Sequence, residues 1–333
     1  MDLSASPPLG SSSSGPRVAI DSGNPTLDWT SGTSSGPILV RSTDSRSRFG
    51  RRKSQRGLCD FSGDLMRKGG GRSYTIGGFA RAMCRMMGVV SRGPVYYDLF
   101  EEFANLATQG MCPIGAPDER GHKDGWGLVC FKNGDLQYHA RDTGSAADAS
   151  KYYGTAWKIA KLNIERTPGQ SLIVMGHLRR ASLTGLVAQK YSHPFIDERD
   201  GVTWAFQHNG SLVNDPGEKG QIDSQVLFQS LLNHIEDRSH EDVARATRAV
   251  REEAIEKHGG FTGLNFMLSD GQSLHMYRDF QTNGQYYTLY IDNFGEMIVG
   301  ASEPILAMSA EPIPRGVLHT VGSDLELERS AVA

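Results

Sequence analysis

From residue 83 onward, apolar and polar positions alternate in short, well-formed stretches. Residues 86–90 form an apolar run suited to a buried strand. Residues 97–107 carry Leu99, Phe100, Phe103, Leu106 and Ala107 at helical spacing. Residues 127–131, the Asn133-Gly134 pair and residues 136–140 predict a hairpin closed by an Asn-Gly turn. A helix is expected over 146–162, and apolar strands over 171–176 and 202–206. Val226, Leu227, Leu231 and Leu232 share one face of a predicted helix over 224–235, and a more polar helix covers 242–257. Late strands are expected at 263–269, 273–278, 286–290 and 297–301. The strands arrive mostly as hairpins, not as strand–helix–strand repeats. Antiparallel sheets layered with helices, an α+β arrangement, therefore fit better than a doubly wound sheet.

Composition divides the chain. The first 82 residues hold 16 Ser, 13 Gly and 5 Pro, with 12 basic and 6 acidic side chains, and show no sustained period of 2 or 3.6. Such a segment cannot bury enough apolar surface to offset its chain entropy, so it is read as a disordered basic leader, 1–82, ahead of a folded domain, 83–333. A nucleic-acid arm, a transit peptide and a pro-segment absent from the working protein compete to explain it. The six acids count against a transit peptide, and no apolar core follows an early positive end, which argues against a secretory signal.

The whole chain has a formal charge of −3, giving no reason to expect nucleic acid as a partner. No apolar run approaches the roughly 18 residues that span a bilayer, so no membrane role and a cytoplasmic location are expected. Four cysteines in 333 residues do not make a disulfide scaffold. Cys112 and Cys130 stand too far apart for a zinc knuckle, and no HExxH, P-loop, dinucleotide glycine fingerprint or GxSxG occurs. Neither metal nor cofactor is expected.

Cys84 follows Met83 at the change of composition. If it became the first residue, its α-amine, with a pKa near 8, would act as a base for its own thiol. Viewed alone it reads equally as a small buried apolar residue at a strand start. Gln207-His208-Asn209-Gly210 follows an apolar strand. Its Asn amide and Gly N–H are able to converge on an oxyanion, while Asn-Gly is also the commonest hairpin dipeptide. In Gly176-His177-Leu178-Arg179-Arg180 a guanidinium is suited to a carboxylate, or is simply a surface charge. Asp223 reads as a helix N-cap or as a partner for an ammonium. His122-Lys123-Asp124-Gly125-Trp126-Gly127 suggests tight backbone packing or a turn into the hairpin.

In order, Met83-Cys84-Arg85-Met86-Met87-Gly88, Asp124-Gly125-Trp126-Gly127, Gly176-His177-Leu178-Arg179, His193-Pro194-Phe195, His208-Asn209-Gly210, Asp223 and Ser302-Glu303-Pro304 resemble the class II glutamine amidotransferases. These are N-terminal-nucleophile (Ntn) hydrolases, and the likeness is greatest to a short, single-domain branch that includes γ-glutamyl amidohydrolases. The resemblance implies a four-layer αββα sandwich. It implies that Cys84 attacks a glutaminyl amide carbon while its α-amine shuttles the proton. Asn209 and Gly210 would form the oxyanion hole. Arg179 would hold the substrate α-carboxylate and Asp223 its α-ammonium, with His208 in the same substrate-binding set. A thioester would form, and water would release glutamate.

Arg180 departs from an aromatic residue in some relatives, and Ser182 from a Thr in many. With 1–82 attached, the Cys84 nitrogen is a non-basic amide, so activity requires that Met83 be the true start or that the leader be cleaved. Only about 30 residues follow Pro304. No synthase domain is expected there, and ammonia transfer would need a separate accepting partner protein. Hydrolysis of a γ-glutamyl compound and glutaminase activity serving such a partner stand level. The alternative is a catalytically silent binding or regulatory module that keeps its leader and an internal Cys84.

Overall fold

The computed structural model describes residues 84–112, 121–162, 169–181, 184–214, 220–309 and 312–333. The expected leader and Ser182 lie outside the described residues. Twelve strands and four α-helices are present among those described. The strands are β1 (Arg85–Ser91), β2 (Gly125–Lys132), β3 (Asp135–Asp142), β4 (Leu172–Arg179), β5 (Phe195–Arg199), β6 (Val202–Leu212), β7 (Phe261–Ser269), β8 (Ser273–Arg278), β9 (Tyr290–Asn293), β10 (Met297–Ala301), β11 (Val317–Gly322) and β12 (Leu327–Ala331). The helices are α1 (Tyr97–Gln109), α2 (Ser150–Ala160), α3 (Asp223–His234) and α4 (His240–Glu256).

The strands form two six-stranded antiparallel sheets, ordered β3-β2-β4-β1-β10-β9 and β12-β11-β8-β7-β6-β5. Three apolar layers separate four structural ones, giving the αββα sandwich. Helices α1 and α2 cover the outer face of the first sheet, and α3 and α4 that of the second. A third core lies between the sheets. Strand β1 shows why its run is apolar throughout. Met87 and Val89 face the helices, whereas Met86 and Val90 face the opposite sheet. Neither face sees water, so alternation vanishes. Fully burying each such side chain contributes about 1.5–3 kcal/mol.

Several expectations require correction. Strand β6 does not stop at Phe206 but runs through His208-Asn209-Gly210 to Leu212, so this Asn-Gly pair is strand and not turn. The pair at Asn133-Gly134, by contrast, does close the β2–β3 hairpin, with both residues at positive φ. The helix expected over 146–162 is a 3-10 turn at Ala146–Asp148 followed by α2. The strand expected at 286–290 begins only at Tyr290, because Tyr286 and Tyr287 occupy a turn packed into the core. Strands β5, β11 and β12 were not anticipated. The last two complete the second sheet with the residues after Pro304.

Candidate active site

Cys84 immediately precedes β1. The pairing of Arg85 with Leu178 sets it beside Arg179, the last residue of β4. Its side chain shares the inter-sheet face with Met86 and Val90, since strand side chains alternate. On β6, Ala205, Gln207 and Asn209 occupy the facing side. Gln207 Nε2 donates to the Met87 carbonyl at 2.8 Å. Asn209 Oδ1 accepts the Cys84 N–H at 2.9 Å. The other end of that amide, Asn209 Nδ2, is buried with no hydrogen-bond acceptor among the described residues. A buried donor left unmade is costly and invites a ligand oxygen.

The same alternation sends His208 and Gly210 to the opposite face of β6. The His208 ring shares hydrogen bonds with Ser224 Oγ at 2.9 Å and the Gly263 carbonyl at 3.4 Å. A Cβ at position 210 would lie 1.8 Å from the Gly263 oxygen, so only glycine allows the two strands to approach this closely. Structure therefore groups Cys84 with Asn209, and places the His208 side chain behind the strand.

Arg179 and Asp223 supply opposite charges. Arg179 is buried and its Nη1 donates to the Leu186 carbonyl at 2.8 Å. Asp223 is the first residue of α3, with Ile222 at the N-cap position. Its Oδ2 accepts the Leu212 N–H at 3.0 Å and its Oδ1 the Ser224 N–H at 2.7 Å, a placement that the helix dipole favours. Both charges act on Cys84. Burial pushes the thiol up to about 11, opposed by Arg179, by a backbone hydrogen bond at Arg180 and by Arg85, and reinforced by Asp223. The thiol also points at the Arg180 carbonyl, 4.0 Å away.

Asp124 fastens this end of the sheet. Its N–H donates to the Arg179 carbonyl at 2.9 Å and its Oδ2 accepts the Ala181 N–H at 2.8 Å. A Cβ on Gly127 would come within 2.0 Å of the His193 carbonyl oxygen. The Asp-Gly-Trp-Gly segment is thus tight backbone packing.

One set of side chains had no role assigned from the sequence. Arg85, fully buried, pairs through Nε with Glu303 at 2.6 Å, donates through Nη1 to the Cys84 carbonyl at 3.3 Å, and contacts the Met111 carbonyl through Nη2. Its guanidinium lies 4.5 Å from the centre of the Tyr286 ring, whose hydroxyl donates to the same Cys84 carbonyl at 3.5 Å. The sequence signals were the places of Arg85 and Glu303 in the motifs of the resemblance and a charged residue heading an apolar strand.

A buried histidine group stands behind the site. His177 and His193 rings are 4.2 Å apart, and His177 Nε2 meets the His208 carbonyl at 3.2 Å. Burial pulls His177 down to about 3 and His208 to about 4, and lowers His193 well below the usual range. All three stay neutral when folded but take up protons when unfolded, as pH falls below about 6.5. Their stability contribution is therefore full above that pH and is lost toward pH 4. Each histidine costs up to about 1.4 kcal/mol per pH unit. Urea midpoints at pH 7 and pH 5 should differ accordingly, and His208→Gln should flatten the slope; an unchanged slope would contradict buried neutral rings.

Two antiparallel sheets between helical layers, with a cysteine at the head of a central strand and facing the sheet interface, define an Ntn-hydrolase-like protein. The chain belongs to the glutamine amidotransferases class-II, whose family pattern matches residues 83–298. It is 29% identical over 210 residues to the Haemophilus influenzae "Putative glutamine amidotransferase", matching 58% of this chain and 62% of that protein. It is 28% identical over 208 residues to the Escherichia coli "Putative glutamine amidotransferase YafJ", matching 59% of this chain and 72% of that one. The chain thus spans less than two thirds of the Haemophilus relative's length. Among solved structures, the allosteric regulatory enzyme of purine biosynthesis superposes with a TM-score of 0.54 at 14% identity, over 75% of this chain and 49% of that one. At that identity the likeness is one of fold.

Proposed function

We propose that the protein hydrolyses the side-chain amide of glutamine or of a γ-glutamyl compound, with Cys84 as an N-terminal nucleophile. The observation that carries this reading is the Cys84 nitrogen held 2.9 Å from Asn209 Oδ1, with the buried Asn209 Nδ2 left for an incoming oxygen. With Cys84 Sγ attacking the amide carbon, the S–C bond forms and the carbonyl electrons collect on oxygen. Asn209 Nδ2 and the Gly210 N–H stabilise that oxyanion. The α-amine takes the thiol proton and passes it to the departing nitrogen, the C–N bond breaks, and ammonia or an amine leaves. Water then attacks the thioester, releasing glutamate and restoring the thiol.

Arg179 and Asp223 suit a zwitterion, one charge for the α-carboxylate and one for the α-ammonium. A thiol pushed up to about 11 is inert at neutral pH unless a base stands beside it. The α-amine is that base only when 1–83 is absent, so the working protein is proposed to begin at Cys84. A retained leader would instead leave a silent binding module. The test is a screen of glutamine and γ-glutamyl amides for glutamate release, with intact-mass detection of the acyl-enzyme. A covalent glutamyl adduct on Cys84 supports the reading, and release without any adduct at Cys84 counts against it.

A further inference from the structure

Arg85 and Glu303 stand 218 positions apart in sequence, and their ion pair is seated directly against the nucleophile's backbone. The Cys84 carbonyl receives two donors, Arg85 Nη1 and the Tyr286 hydroxyl. Glu303 Oε2 also accepts the Met111 N–H at 2.9 Å, which fixes the carboxylate from a second side. Ser302 clamps the next residue along: its Oγ accepts the Met86 N–H at 2.8 Å and its N–H donates to the Met86 carbonyl at 2.9 Å. Nothing in the core requires a charge here, since the neighbouring outer-face residues Met87 and Val89 are apolar. Burying an ion pair is a weak source of stability, because desolvation offsets most of its attraction. Its position next to Cys84 gives the charge a different use.

We propose that Arg85 and Glu303 are positioning residues that fix the pose of Cys84 and jointly set the proton affinity of its α-amine. This inference rests on the reading of Cys84 as the N-terminal nucleophile. A guanidinium beside the residue disfavours a second positive charge and so keeps more of the amine neutral and basic near neutral pH. Glu303 partly cancels that field. The other charges facing Cys84 are Arg179 from β4, which acts in the same sense as Arg85, and Asp223 from α3, which opposes it. Tyr286 is held protonated by burial, and the Cys112 thiol also acts on its phenol. Arg180 reaches Cys84 through its carbonyl and Cys112 through its guanidinium.

The two partners of one ion pair should therefore push the amine in opposite directions. Measured on the protein purified after expression of the full chain, the ascending limb of kcat/KM against pH reports the free enzyme's base. Arg85→Met should move that limb upward by about half to one pH unit, and Glu303→Gln should move it downward by a similar amount. Arg85→Lys, which keeps the charge, should leave the limb near its wild-type place even if the maximal rate falls. A purely structural pair would lower the rate in both variants with the limb unmoved, or shifted the same way in both, and either result overturns the proposal. If Arg85→Met does not fold, the Glu303→Gln and Arg85→Lys profiles still decide it. A wild-type protein without turnover would instead remove the nucleophile reading itself, and this inference with it.

Discussion

Cys84→Ala is expected to abolish glutamate release and acyl-enzyme formation while the chain still folds. The sulfur proposed as the nucleophile sits at the head of β1 on the inter-sheet side, next to Arg179 and opposite Asn209. No other thiol among the described residues reaches this position: Cys130 lies in the outer core under the helices, and Cys112 is held by Arg180. A proton shuttle without its nucleophile leaves only uncatalysed attack by water, so the loss should reach the background rate. Stability should change far less. Removing one buried sulfur from a side chain already small costs on the order of 1 kcal/mol, which a urea midpoint will resolve. Retained glutamate release with an intact fold would refute the mechanism.

The second large effect is at Asn209. In the proposed mechanism its amide has two jobs at two ends, and substitution separates them. Asn209→Asp keeps an oxygen to accept from the Cys84 nitrogen but deletes the buried Nδ2 donor. Asn209→Ala deletes both. Removing one oxyanion donor typically costs about 10² to 10³ in kcat, and both variants should lose at least that much, with KM changed little. The contrast between them then reports the value of holding the Cys84 nitrogen. Less than a threefold loss of kcat in either variant would mean that the amide only links the two sheets.

Legibility in the sequence followed the range of the interactions. Strand β1, the β2–β3 hairpin and helices α1, α3 and α4 were readable because their signals are local: an apolar run, an Asn-Gly turn, a helical stripe. The two Asn-Gly pairs show where this stops. Asn133-Gly134 turns because the chain can fold back on itself there. Asn209-Gly210 stays extended because β7 lies against it, and the glycine admits the Gly263 carbonyl. Local propensity cannot distinguish them, since the deciding contact comes from more than fifty residues away. Strands β5 and β12 are polar, partly exposed edges, and β11 mixes His and Thr with its apolar residues, so their alternation was weak.

At the site, the residue types that carry charge or a thiol stood out beside Gly-containing strand ends. What the sequence could not supply was the face each side chain takes. A one-residue step along β6 turns Asn209 toward Cys84 and His208 toward Ser224. Arg85 and Glu303 were also invisible as a pair, because their meeting depends on β1 and β10 lying side by side in the first sheet. The packing shows what each one touches.

The most direct measurement is the N-terminal sequence and intact mass of the active protein from its own cells, taken on the same sample whose turnover is assayed. The account predicts chains that begin at Cys84 and release glutamate. Full-rate deamidation by chains in which the Cys84 nitrogen is still joined to Met83 would contradict it.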